Sequence, residues 1–259
     1  MLSPGLRQPG RRGVDRGGHG PARAAAAQGR RRPMSLEAAV RLTEILLALA
    51  LIQQSLEHLR GLPGERPLFA IRILLCVLVA SGIAAPWPLV GLALVSLVIL
   101  ERFQGPYNGG SDRMGLLALW CLVLTRLLPT PALKELSFGY LGAQLMLSYF
   151  ISGGVKIVNP DWRSGRALRD VFQFSSYPVS QGLRRWAQRP RLLLVMSWAV
   201  MGFELAFPLT LLWKPALIAG LAIAATFHLA NACLFGLNRF FWTWLATYPA
   251  ILWLQGRVF

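Results

Sequence analysis

The chain has 259 residues, of which 54% are apolar and only 15% charged, and a mean hydropathy of +0.48; a soluble domain of this size would struggle to hide that much apolar surface from water. The net charge of +16 is not a nucleic-acid signal. Residues 1–33 alone hold eight arginines against one acid, Asp15, and no basic patch elsewhere is interleaved with exposed aromatics as single-strand binding requires.

Residues 1–33 are rich in Gly, Pro, Arg and Ala, with too few large side chains to offset the entropy of ordering, and are expected to form a disordered basic tail. Met34 stands directly before a helix-like start, Ser35-Leu36-Glu37, and is a candidate for the native translation start.

The rest of the chain, 34–259, divides into apolar runs. Backbone groups in lipid must be satisfied within their own segment, and the runs are continuous, as in Leu92 to Leu100, where a membrane barrel would alternate. The prediction is an all-α fold, a polytopic integral membrane bundle of seven to eight transmembrane helices. Eight candidate spans fall near 38–59, 67–85, 87–103, 114–129, 132–157, 191–213, 215–236 and 239–255. The second to fourth are short, and one pair could be a re-entrant hairpin around Pro86-Trp87-Pro88. No internal repeat is visible, against transporter folds built from inverted halves. Cys76, Cys121 and Cys233 lie in separate runs without CxxC spacing, so no metal site is evident and the cysteines read as small apolar fillers.

Ionisable groups inside such runs are costly and mark sites. In the first span these are Glu44, Glu57 and His58. Between the third and fourth spans, Gly105 to Asp112 reads as a tight turn with Asp112 or Ser111 capping the next helix. In the fifth span Gln144, Ser148, Ser152 and Lys156, spaced by four, form one polar stripe, and Gly153 and Gly154 beside it would admit another helix or a ligand. A lysine at the edge of an apolar interior has its charged form disfavoured and can serve as a base; alternatively Lys156 snorkels to the headgroups. From Asn159 to Arg191 run seven arginines and two acids, with Trp162, Leu168, Val171, Phe172, Phe174 and Trp186 among them, as in a segment lying on the membrane surface. Glu204, deep in the sixth span, needs protonation or a partner: Lys156, Arg126 or His228. His228 and Asn231, three apart in the seventh span, share a face where an amide can hold an imidazole in one tautomer.

Taken together, Tyr149-Phe150-Ile151-Ser152-Gly153-Gly154-Val155-Lys156 with Asp161-Trp162 and Gly165, then Phe203 to Pro208, then Phe227-His228-Leu229-Ala230-Asn231 with Leu234-Phe235-Gly236 resemble the membrane domain of the vitamin K-dependent gamma-carboxylase and its bacterial relatives, the HTTM (horizontally transferred transmembrane) family. The turn at Asn108-Gly109-Gly110 with Asp112 also resembles a loop of the bacterial members, and the likeness covers roughly residues 100–245. It implies a protein of the bacterial inner membrane with a pocket for a quinone-like, vitamin K-like ligand. Lys156 is then the candidate base and His228 a second catalytic group, with Asn231, Glu204, Tyr149 and Trp162 holding the ligand. The animal enzyme has two adjacent lysines where this chain has Lys156 followed by Ile157, and it carries a large soluble domain, so peptidyl-glutamate carboxylation by this chain alone is not expected. Membrane lipid, a quinone and a partner protein are the expected partners, and nucleic acid is not. The alternative is a non-enzymatic membrane protein, a transporter or a scaffold, in which these residues only satisfy one another.

Overall fold

Each apolar run predicted above becomes a helix. A computed structural model describes residues 34–60, 63–83, 86–102, 110–175 and 181–259, and 34–259 form one unit; the expected tail at 1–33 and most of the 105–112 turn lie outside the described residues. Eight long helices run up and down as a bundle: α1 (Leu36–Leu59), α2 (Arg66–Ser81), α3 (Trp87–Arg102), α4 (Gly110–Leu127), α5 (Pro131–Val158), α8 (Pro190–Ala206), α9 (Lys214–Phe235) and α10 (Asn238–Val258). Between α5 and α8 lie two short helices, α6 (Pro160–Arg163) and α7 (Arg166–Phe174), and a 3-10 helix over Gln181–Gln188; a second 3-10 helix, Phe207–Leu212, continues α8. No strand occurs among the described residues.

Three of these helices are long and apolar enough to cross a membrane: Pro131–Val158, α8 with its 3-10 continuation as Pro190–Leu212, and Lys214–Phe235. The seven to eight crossings expected from the sequence are thus met by three on length and composition. The shortfall has local causes. Helices α2 and α3 have 16 residues each. At 1.5 Å per residue such a helix reaches about 24 Å, short of a ~30 Å hydrocarbon core. Charged or polar side chains interrupt the others, as Glu37, Arg41 and Glu44 do in α1 and Asn238, Arg239 and Arg257 in α10.

Helix α10 is the organising element, packing against α1, α4, α5 and α9, while α8 lies along α5. The core they share includes Leu47, Leu92, Leu122, Phe138, Leu145, Phe207 and Ile251. Cys76 and Cys121 are buried in it as expected, but Cys233 is exposed on α9 and fills nothing. Apart from Arg72, which is buried in α2, buried charge gathers at two places. At the end of the bundle holding both termini of the unit, the Glu44 carboxylate is 1% exposed and accepts from Arg126 Nε at 2.6 Å and Arg41 Nη1 at 3.1 Å. Arg126 also reaches Glu37, and Arg41 donates to the carbonyls of Val79 and Ala80 that end α2. The second place is the other end.

Asp112 does not cap α4. It sits within the first turn, where Oδ1 accepts from Gln54 Nε2 of α1 at 2.9 Å and Oδ2 lies 3.8 Å from Arg239 Nη1 of α10. Ser111 is buried beside it. The carboxylate ties three helices together instead of closing one.

Candidate functional site

At the end of the bundle opposite the Glu44 cluster, the C-terminal halves of α5, α8 and α9, the first turns of α10, and α6 and α7 enclose a cavity of about 290 Å³. Trp162, Leu168, Val171, Phe227, Phe235, Phe240 and Trp244 make its lining largely apolar and aromatic, and Ser148, Tyr149, Ser152, Lys156, Glu204, His228 and Asn231 supply its polar groups.

The polar stripe of α5 faces this space as the four-residue spacing predicts, with Ser148, Ser152 and Lys156 in the lining; Gln144, the fourth member, is not among the lining residues. Lys156 Nζ donates to both oxygens of Glu204, at 2.7 Å to Oε1 and 2.6 Å to Oε2, and to Ser152 Oγ at 2.6 Å. Ser152 Oγ in turn donates to Glu204 Oε1 at 3.2 Å. Lys156 also stands 5.2 Å from the Trp162 ring centroid, within cation–π range. Its side chain is 16% exposed and that of Glu204 4%. The lysine therefore neither snorkels away nor stands alone: it is held by the carboxylate of α8, one of the three partners considered for Glu204. Arg126 is engaged at the far end with Glu44 and Glu37.

Backbone approach makes that pair possible. Gly153, one turn before Lys156, faces α8 so closely that a Cβ there would lie 2.8 Å from the Leu205 nitrogen and 3.1 Å from Glu204 Cβ. Gly154 has open space around the same point, so of the two adjacent glycines only Gly153 serves the helix contact.

Across the cavity His228 is buried, its Nε2 2.9 Å from the Tyr149 hydroxyl. Phe207 packs on Tyr149 at 4.2 Å between centroids, and Trp244 on His228 at 5.2 Å. The three-residue spacing predicts that Asn231 holds the imidazole. Asn231 lines the same cavity, but the partner of His228 is Tyr149 of α5, seventy-nine residues away in the chain. His228 Nδ1 is buried with no hydrogen-bond partner among the described residues. Such an atom is rare in a folded interior and calls for a ligand or water.

All six residues singled out from the sequence, Lys156, His228, Asn231, Glu204, Tyr149 and Trp162, line this one cavity. Sequence reasoning missed the walls from the connecting segment and from α10, Leu168, Val171, Phe240 and Trp244, because an aromatic or aliphatic residue next to a polar one carries no mark of which cavity it faces. Among the described residues no cluster of three or more His, Cys, Asp or Glu could hold a metal ion.

Residues 131–254 match the HTTM domain. This chain carries an HTTM domain. The match runs from the first residue of α5 almost to the end of α10 and contains every residue that lines the cavity. The turn at 108–110 and Asp112, included in the likeness drawn from the sequence, fall outside it. The chain is thus an integral membrane protein related to the membrane domain of the gamma-carboxylase. No curated protein and no solved structure matches it.

Proposed function

We propose that the HTTM domain binds a quinone-like lipid in this cavity and oxidises its reduced form, with Lys156 as the base. One observation carries the reading: an aromatic chamber has a paired amine and carboxylate on one wall and, on the other, an imidazole nitrogen that lacks a partner. A planar ring bearing oxygens on opposite edges complements both walls, and about 290 Å³ suits a head group whose tail leaves the cavity. A bound hydroquinone gives up two protons and two electrons as it becomes a quinone, and molecular oxygen, the co-reactant of this proposal, takes up both pairs to become hydrogen peroxide.

The residues of the chain handle the protons. Lys156 and Glu204 hold each other across 2.6 Å, and moving one proton along that contact interconverts an ion pair and a neutral amine with a neutral acid. The total charge is zero in both forms, so apolar surroundings tax the neutral form least. The amine can thus become a base without leaving a bare charge in the membrane interior. Ser152 fixes Nζ, Trp162 covers it, and Tyr149 holds the ring of His228 through Nε2, leaving Nδ1 without a protein partner among the described residues. The resemblance of the motifs to bacterial proteins supports a location in the inner membrane.

The test is turnover of a reduced menaquinone-type quinone with oxygen by protein in lipid nanodiscs, followed by quinone absorbance. Lys156→Ala is expected to slow it roughly 10²-fold, the low end for loss of a general base. Absence of turnover in every membrane preparation refutes the proposal. A second reading, a non-enzymatic scaffold for a partner protein, draws support from the completeness of the Lys156–Glu204–Ser152 network, which needs no ligand to be satisfied. Under it, Lys156→Ala and His228→Ala leave cellular function unchanged and lower only bundle stability.

A further inference from the structure

We infer that the segment formed by α6, α7 and the 3-10 helix at 181–188 is a binding surface for anionic phospholipid headgroups, lying in the plane of the membrane interface at the mouth of the cavity. The inference does not depend on the quinone reading.

Three sectors of α7 carry it. Leu168 and Phe172 are buried against Leu193, Trp162 and Phe235, and Phe172 stacks on Trp186 of the 3-10 helix at 5.8 Å between centroids, so the segment is held flat on the bundle. Next round the helix, Val171 and Phe174 are exposed, Phe174 by 69%, and belong in the acyl boundary and not in water. Arg166 and Arg169 project from a third sector, and each has an acid beside it: Asp161 at 3.0 Å and Asp170 at 3.5 Å. Arg184 is spent on Gln181 and the carbonyl of Gln173. Arg163, Arg185, Arg189 and Arg191 are exposed and make no ion pair among the described residues.

Four free guanidinium groups beside an exposed apolar edge are complementary to lipid phosphates at the depth where that edge inserts. Charge over the whole bundle agrees. Arg60, Arg66, Arg102, Arg113 and Arg239 belong to this same end, which also holds Glu57, Glu65, Glu101 and Asp112, while the opposite end has fewer basic residues, Arg41, Arg126, Lys134, Lys214 and Arg257, with Glu37, Glu44 and Glu135. By the positive-inside tendency the cavity end then faces the cytoplasm, and both ends of the 34–259 unit face the other side.

The test uses the full chain in nanodiscs of phosphatidylcholine mixed with phosphatidylglycerol, with native mass spectrometry of the lipids that stay bound after release. Wild-type protein is expected to retain phosphatidylglycerol roughly tenfold over its share of the mixture, with the preference weakening as salt rises. The variant R163Q/R185Q/R189Q/R191Q is expected to lose most of that enrichment while keeping wild-type helicity and thermal unfolding. A second variant, Phe174→Ser, is expected to weaken retention with every arginine in place, as a purely ionic site would not. Equal enrichment in wild type and the arginine variant overturns the inference. So does displacement of the lipid by millimolar inorganic phosphate, which would make this a free-phosphate site, and so does a preference for an acidic peptide over anionic nanodiscs.

Discussion

Alanine at Gly153 and alanine at Gly154 should have opposite effects, although the two positions are adjacent on α5. At Gly153 the added Cβ meets the Leu205 nitrogen at 2.8 Å and Leu205 Cγ at 2.9 Å, where ordinary contact begins at 3.4 Å, so α8 must retreat by about 0.6 Å. Backbone cannot swing aside as a flexible side chain can, and overpacking of this kind costs roughly 1–3 kcal/mol. Replacing a helical glycine returns about 0.5–1 kcal/mol, so Gly153→Ala should destabilise by up to about 2.5 kcal/mol net. The same retreat would stretch the 2.6 Å Lys156–Glu204 contact, and any quinone turnover should fall with it. At Gly154 nothing lies within 4 Å of the added atom, leaving only the helix gain, and stability should rise by about 0.5–1 kcal/mol. Both variants can be unfolded reversibly by denaturing detergent in mixed micelles, with helicity as the signal. Equal effects in the same direction would refute the packing argument, because propensity alone cannot tell the two positions apart.

Arg126→Ala should be among the most damaging single changes outside the cavity: it leaves Glu44, 1% exposed, with Arg41 as its one remaining cation. Because Arg41 stays, the cost should fall near the bottom of the 3–5 kcal/mol range for breaking a buried pair, about 3 kcal/mol, and the same micelle titration reads it. Gly165 joins α6 to α7 at φ +76°, and a Cβ there would lie 3.0 Å from the Leu194 backbone. Gly165→Ala should therefore cost about 1–2 kcal/mol in backbone strain and loosen α7, seen as faster amide exchange over residues 166–174. Tyr149→Phe removes the hydroxyl 2.9 Å from His228 Nε2 and leaves the buried imidazole without a protein partner. A loss of about 1–3 kcal/mol is expected, with weaker retention of added menaquinone-type quinone, and unchanged stability would show that the contact carries no weight.

Much of the candidate site was legible before any tertiary structure. The four-residue spacing of Ser148, Ser152 and Lys156 follows from the helical period, and so does the shared face of His228 and Asn231. Asp112 illustrates the opposite case: its position after a glycine-rich turn spoke for a local cap, yet Gln54 and Arg239, from opposite ends of the chain, claim its oxygens. A cap and a tether look alike in sequence, because both need a short carboxylate near a helix start.

The sequence by itself determined the solvent and the secondary structure. Runs of apolar residues with few charges must be helices where lipid offers the backbone no hydrogen bonds, and polar residues deep within them, such as Glu204 and His228, were bound to face inward. Only the tertiary structure decided pairings: Glu204 with Lys156 and not Arg126, Tyr149 and not Asn231 on His228, and Gly153 and not Gly154 at the contact between α5 and α8. The number of helices long and apolar enough to cross a membrane among the described residues, three where seven or eight crossings were expected, likewise emerged only once the helix ends were known. A periodic pattern tells which face of a helix is buried, but which helix covers that face, and at what height, depends on packing between segments far apart in the chain.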